Sequence, residues 1–179
     1  MRPWVAACIV IGISAAAPAA TLEQLSFGEL VDQASAIVRG RVTGTYTTAK
    51  GSLIYTHYRV LVSECWKGSI SGQADLVVPG GALGGIRQSF PGAPSLSAGS
   101  EYVLFLWKSR SGLTHIIGLT QGLFDIRTDA KGNALALRAV SGETMLDRTT
   151  GRPVAEEPLS MTLAELRSKV AQAVKGAAR

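Results

Sequence analysis

The chain has 179 residues, two cysteines and a formal net charge of +5. Setting aside the first 19 residues leaves about 160, enough for one domain with a real core. Only Arg2 is lost with them, so the balance becomes 17 − 13 = +4, and the cations form no run, which argues against nucleic acid as a partner.

The amino-terminal segment reads as a signal peptide over 1–19. Arg2 gives the positive start, residues 4–13 (WVAACIVIGI) the short apolar stretch, and Ala17-Pro18-Ala19 the small-residue cleavage pattern. The apolar run is shorter than the roughly 20 residues a membrane helix needs, and no later segment is longer, so no stable span is expected after cleavage. The expected location is therefore periplasmic or secreted. Cys8 leaves with the leader, and an intramolecular disulfide is then impossible. Cys65, in SECWKG, is expected to be a small buried hydrophobe, with a reactive thiol as the alternative.

Residues 22–35 read as a short amphipathic helix. Ser26 and Glu29 have the spacing of a capping box, and Leu30 and Val31 should dock on the core. Two strands follow over 37–46 and 53–62, joined at Ala49-Lys50-Gly51-Ser52 into a long hairpin. In the second, Ile54, Thr56, Tyr58, Val60 and Val62 alternate with Tyr55, His57 and Arg59, which places His57 on an outward, solvated face. A short strand at 75–78 leads into a Gly/Pro-rich stretch, VVPGGALGGIRQSFPGAPSLS. Residues 102–107 (YVLFLW) are apolar on both faces and read as a central strand. Further strands are expected at 113–119, 123–127 and 134–140. Residues 146–160 read as a linker or loop. A helix over 162–175, within a final segment 161–179, starts at a second capping box, Thr162 with Glu165, and carries the stripe Leu163, Leu166, Val170 and Val174. Short, closely spaced strands favour an OB-like barrel or a small β-sandwich for residues 20–145.

Chemistry is harder to find. Gly80-Gly81-Ala82-Leu83-Gly84-Gly85 lacks the G-x-G-x-x-G spacing of a dinucleotide cradle, and Pro91 and Pro94 forbid the helix that should follow. No Gly-Lys-Ser/Thr ends it, so a phosphate loop fails too. What remains is a long loop, a common place for function. Gly81, Gly84 and Gly85 supply unusual backbone angles, and Arg87, Gln88 and Phe90 supply one charge, one amide and one ring: a contact surface. No G-x-S-x-G elbow is present. His57, Cys65 and His115 are the only soft ligands after the leader, too scattered for an expected zinc site. His115 is expected to be partly buried. No catalytic residue, metal or cofactor is assigned.

Several stretches resemble a group of uncharacterised secreted bacterial proteins. ASAIVRGRV at 34–42 is similar to their AD-x-IV-x-G-x-V opening, VSECWKG at 62–68 to their V-x-E-V-x-KG strand end, AGSEYVLFL at 98–106 to x-G-E-x-Y-L-x-FL, and GLTQGLF at 118–124 to VG-x-x-QG-x-F. A fainter resemblance is to the netrin-like modules of tissue inhibitors of metalloproteinases. It implies an OB-type barrel, but the inhibitory amino-terminal cysteine has no counterpart at Ala20-Thr21-Leu22.

The expectation is an exported, mainly β, non-catalytic binding module that meets an envelope or extracellular protein or glycan through the Gly/Pro loop. The alternatives are a protease-inhibitor-like module by fold analogy and a hydrolase centred on a histidine.

Overall fold

A computed structural model describes residues 21–140 and 142–177; the expected signal peptide lies outside them. In chain order the elements are β1 (Thr21–Glu23), α1 (Phe27–Gln33), β2 (Ala36–Lys50), β3 (Leu53–Lys67), β4 (Gln73–Pro79), β5 (Gly81–Leu83), β6 (Ile86–Gln88), β7 (Glu101–Lys108), β8 (Thr114–Ile116), β9 (Leu123–Thr128), β10 (Ala134–Arg138), β11 (Thr144–Leu146), β12 (Pro153–Val154), β13 (Leu159–Thr162) and α2 (Leu163–Ala177). The fold is mainly β, with one short helix near the amino terminus and one helix at the carboxyl end.

Five strands close on themselves. β2 pairs with β3, β3 with β4, β4 with β8, β8 with β7, and β7 returns to β2. All these pairs are antiparallel except β4–β8, which is parallel and meets at Val77 and His115. This is an OB-like barrel. Its interior holds Val38, Val42, Tyr58, Val60, Leu76, Val78, Leu104, Leu106 and Ile116. Side chains alternate along a strand, so Val103 and Phe105 of β7 point out of the barrel instead. There they join Leu30, Val31, Phe124, Leu166 and Val170 in a second core. That explains why YVLFLW is apolar on both faces.

The second core exists because the sheet continues past the barrel. β7 also pairs with β9, β9 with β10 and β10 with β13, and α1 and α2 cover this extension. Full burial of a leucine such as Leu30 or Leu166 contributes about 1.5–3 kcal/mol. Both helix starts carry the expected boxes. Ser26 N–H donates to Glu29 Oε2 at 2.8 Å and Glu29 N–H to Ser26 Oγ at 3.3 Å. Thr162 and Glu165 make the same reciprocal pair at 2.8 and 3.2 Å.

Three elements differ from the sequence reading. The first helix does not extend back to Leu22, because an N-cap must be extended: Ser26 has φ −65° and ψ 161°. Leu22 lies instead in β1, paired in parallel with Met145. Residues 146–160, expected as a linker or loop, are mostly loop but also hold the end of β11, the short β12 and the start of β13. The Asp147 carboxylate accepts from Thr149 N–H, Thr150 N–H and the Thr150 hydroxyl, which folds β11 back on β12. Finally, the Gly/Pro stretch contains a two-stranded hairpin, β5–β6. Gly84 and Gly85 have φ of +58° and +80°, the left-handed pair that a two-residue hairpin turn needs.

Candidate functional site

The β5–β6 hairpin packs against the outer half of the long β2–β3 hairpin. Much of it is structural support. The Gln88 amide accepts from Ile54 N–H and donates to Ser52 O, both at 2.7 Å, and so ties β6 to the start of β3. Gly80 O accepts from the Thr56 hydroxyl at 2.8 Å. At Gly81, with φ +132°, an added Cβ would lie 2.6 Å from Thr56 Oγ1 and 3.0 Å from Thr47 Cγ2. Gly81 is therefore a point of close approach. Phe90 is half-buried beside Gly80 and lines a small recess with Gln88 and Pro94. Arg87 is exposed, next to Ile86, whose side chain is 62% exposed and pairs across the turn with Leu83.

The opposite face of the β2–β3 hairpin carries a different arrangement. Tyr46 of β2 is in register with His57 of β3, His57 with Val77 of β4, Val77 with His115 of β8, and His115 with Trp107 of β7. One transverse row thus runs round the outside of the barrel with four rings and one valine. At about 4.8 Å per strand spacing its length is roughly 19 Å. Tyr46 and His57 stack at 4.3 Å between ring centroids, and Trp107 and His115 at 5.0 Å. Tyr55, two residues before His57 on the same face, meets His115 edge-on at 6.4 Å. Val77, in register between the two histidines, is buried, whereas Trp107 is 41% exposed.

His57 therefore departs from expectation. It does point out of the barrel, but it is only 8% exposed. The Tyr46 ring covers one face, Nε2 shares a hydrogen bond with Thr48 Oγ1 at 2.8 Å, and Nδ1 sits 3.3 Å from each Asp75 oxygen. An outward strand position is not a solvated one when the cross-strand partner is aromatic. Asp75 also accepts from the Tyr46 hydroxyl, which raises the phenol above its ordinary range. The Arg59 guanidinium lies over the Tyr46 ring, 5.0 Å from its centroid. His115 is partly buried as expected, and burial pushes its imidazole below the usual value.

Cys65 is exposed, contrary to expectation. Register shifts at Ile37/Val38 and Arg39/Gly40 break the alternation there, so the inner side of β3 cannot be read by counting. The thiol turns back toward Lys67 O at 3.2 Å.

A cleft of about 780 Å³ lies elsewhere, between α2 and the barrel, beside Arg39, Glu64, Trp66 and Arg167. Its charges satisfy one another. Arg39 forks onto Glu101 at 3.0 and 3.1 Å and reaches Glu64 at 2.7 Å. Glu64 also accepts from Trp66 Nε1 at 3.0 Å and pairs with Arg167 at 3.2 Å. The Trp66 bond, then Arg39, holds the Glu64 carboxyl below its ordinary range. This network fastens α2 to the barrel. Among the described residues, no group of three or more His, Cys, Asp or Glu side chains is placed to hold a metal ion.

The ring row was missed in the sequence because its members sit on four strands, far apart along the chain. Only Tyr55, His57 and Arg59 share a local pattern. No helix among the described residues is long and apolar enough to cross a membrane. No family model, curated protein or solved structure matches the chain.

Proposed function

We propose that the protein is an exported, non-catalytic binding module that holds a carbohydrate on the row Tyr46–His57–His115–Trp107, with Tyr55 beside it. The supporting observation is the unbroken register of that row across five strands. A sugar ring presents an apolar C–H face that lies flat on an aromatic ring, here the partly exposed Trp107 and Tyr55, while its hydroxyls reach polar groups at the edge of the Tyr46–His57 stack. Thr48 and Asp75 offer such groups beside the rings. The tip of the β5–β6 hairpin, with Leu83, Ile86 and Arg87, is a second contact surface in this reading. Gly81, Gly84, Gly85 and Gln88 shape that tip, and Phe90 supports its base.

The test is capture on immobilised envelope glycans from the host, comparing wild type with Trp107→Ala and Tyr55→Ala. Retention of wild type and loss of both variants, each folded by circular dichroism, is expected. Equal capture of all three would remove the reading.

A second reading rests on the Thr48–His57–Asp75 line. Hydroxyl, imidazole and carboxylate lie within reach in the order an acyl-transfer site uses. A fluorophosphonate probe that labels wild type at Thr48, and not Thr48→Ala, is its expected signature. An unlabelled protein that turns over no activated ester contradicts it.

A further inference from the structure

We infer that the carbohydrate of the ring row is acidic: a polysaccharide carrying carboxylate or sulfate groups. The inference rests on the ring-row reading and adds the ligand's charge. Asp75 is the only acidic residue in segments 42–63, 73–100 and 102–123, which build most of the barrel and the β5–β6 hairpin. The same segments carry Lys50, Arg59, Arg87, Lys108 and Arg110. The other 12 of the chain's 13 acids lie outside them. The mild overall charge thus conceals a one-sided distribution.

Four of these cations, all but Arg87, border the rings. Lys50 follows Tyr46 and Thr48 on the same face of β2 and is exposed. Its Nζ donates to Ser111 O at 3.4 Å, which brings the β2–β3 turn against the β7–β8 turn. That second turn begins with Lys108 and Arg110, directly after Trp107, and both are exposed. At the other end of the row, exposed Arg59 lies over Tyr46. The one negative group, Asp75, is engaged by the Tyr46 hydroxyl and faces His57. By contrast, the acids near the Arg39 cleft are spent on ion pairs: Glu64 and Glu101 with Arg39, Asp125 with Arg127. A ligand laid along the rings meets exposed positive charge at both ends, with Arg59 facing Asp75 across the β3–β4 ladder. Rings give it affinity for flat apolar faces, and the flanking cations select for anions. Single-stranded nucleic acid offers similar chemistry; the expected export of the chain favours a glycan.

The experiment measures binding of the purified protein to three immobilised polymers: polygalacturonate, the same polymer fully methyl-esterified, and oligo(dT). The expected result is at least roughly tenfold tighter binding to polygalacturonate than to its ester, weakening severalfold between low and high salt. Lys50→Ala with Arg110→Ala should reduce binding of the acid polymer about tenfold and leave the ester unchanged. Equal binding of the two polymers overturns the inference and leaves the ring row standing. Preference for oligo(dT), or binding to none of the three, overturns it as well. Undiminished binding by Trp107→Ala and Tyr55→Ala removes the ring-row reading beneath it. Both rings are at least partly exposed, and the paired variants keep the test open if one fails to fold.

Discussion

Trp107 and His115 stack at 5.0 Å between ring centroids, across the short antiparallel pair that helps close the barrel. The same histidine meets Val77 on the other side, in the parallel step that completes the closure. These two rings thus sit on the seam of the fold, and in the proposed reading His115 serves both ligand contact and closure. Such an aromatic pair is worth about 0.5–1.5 kcal/mol beyond its buried area. Trp107→Ala should therefore cost about 1–2 kcal/mol, a discounted burial share for a side chain 41% exposed added to the pair, while removing the ring at one end of the row. Urea denaturation beside a glycan-capture assay separates the two effects; a large loss of stability would show that Trp107 is mainly structural.

Titration of His115 gives stability a pH slope. Burial lowers its folded value from 6.5, so the unfolded chain binds more protons below that pH. The contribution is full above pH 6.5 and is lost as pH falls through the depressed folded value. His115→Phe keeps a ring in the stack and removes this part of the slope. Melting temperatures of the two proteins from pH 8 to 5 should diverge on the acid side and run parallel above neutrality.

Gln88 should behave as a structural residue. Its replacement by Ala strips the Ile54 N–H and Ser52 O of their amide partner, at a cost of about 1–3 kcal/mol if water does not replace it. Hydrogen exchange at Ile54 should quicken. Unaltered exchange would mean that the β5–β6 hairpin is not anchored there.

The glycines of that hairpin should separate by position. Gly81→Ala meets Thr56 Oγ1 at 2.6 Å and is strained at φ +132° as well, so it should unfasten the hairpin. Gly84 has open space around it and φ +58°. Asn, which tolerates that region, should be nearly neutral there, and Ala should cost about 1 kcal/mol. Thermal melts of the three variants check the order.

Native Cys65 should react with a maleimide at the rate of an exposed thiol. Slow labelling, recovered only in denaturant, would return it to the buried class.

What was legible in the sequence was local. The Ser26 and Thr162 boxes fix both helix starts within a few residues, and Tyr102 to Trp107 announces a central strand by its lack of alternation; that its two faces serve two cores only the structure shows. What was not legible depends on register or on distance. Closure through β8 turns on a single parallel partner for Val77, which no pattern near Thr114 reveals. The hairpin in the glycine stretch does have a local signal, Gly84-Gly85 between Ala82-Leu83 and Ile86-Arg87, which the reading of the stretch as one long loop passes over. The alternation at Tyr55 and His57 gave the right face and the wrong exposure, because the cover comes from Tyr46 across the ladder.

The most direct test follows amide and indole resonances of the labelled protein during titration with oligosaccharides released from its host's envelope. The account predicts that the largest shifts fall on Tyr46, Tyr55, His57, Val77, Trp107 and His115 and their neighbours, with the Trp107 indole N–H among them. Shifts centred on residues 81–94, with the ring row silent, would contradict it.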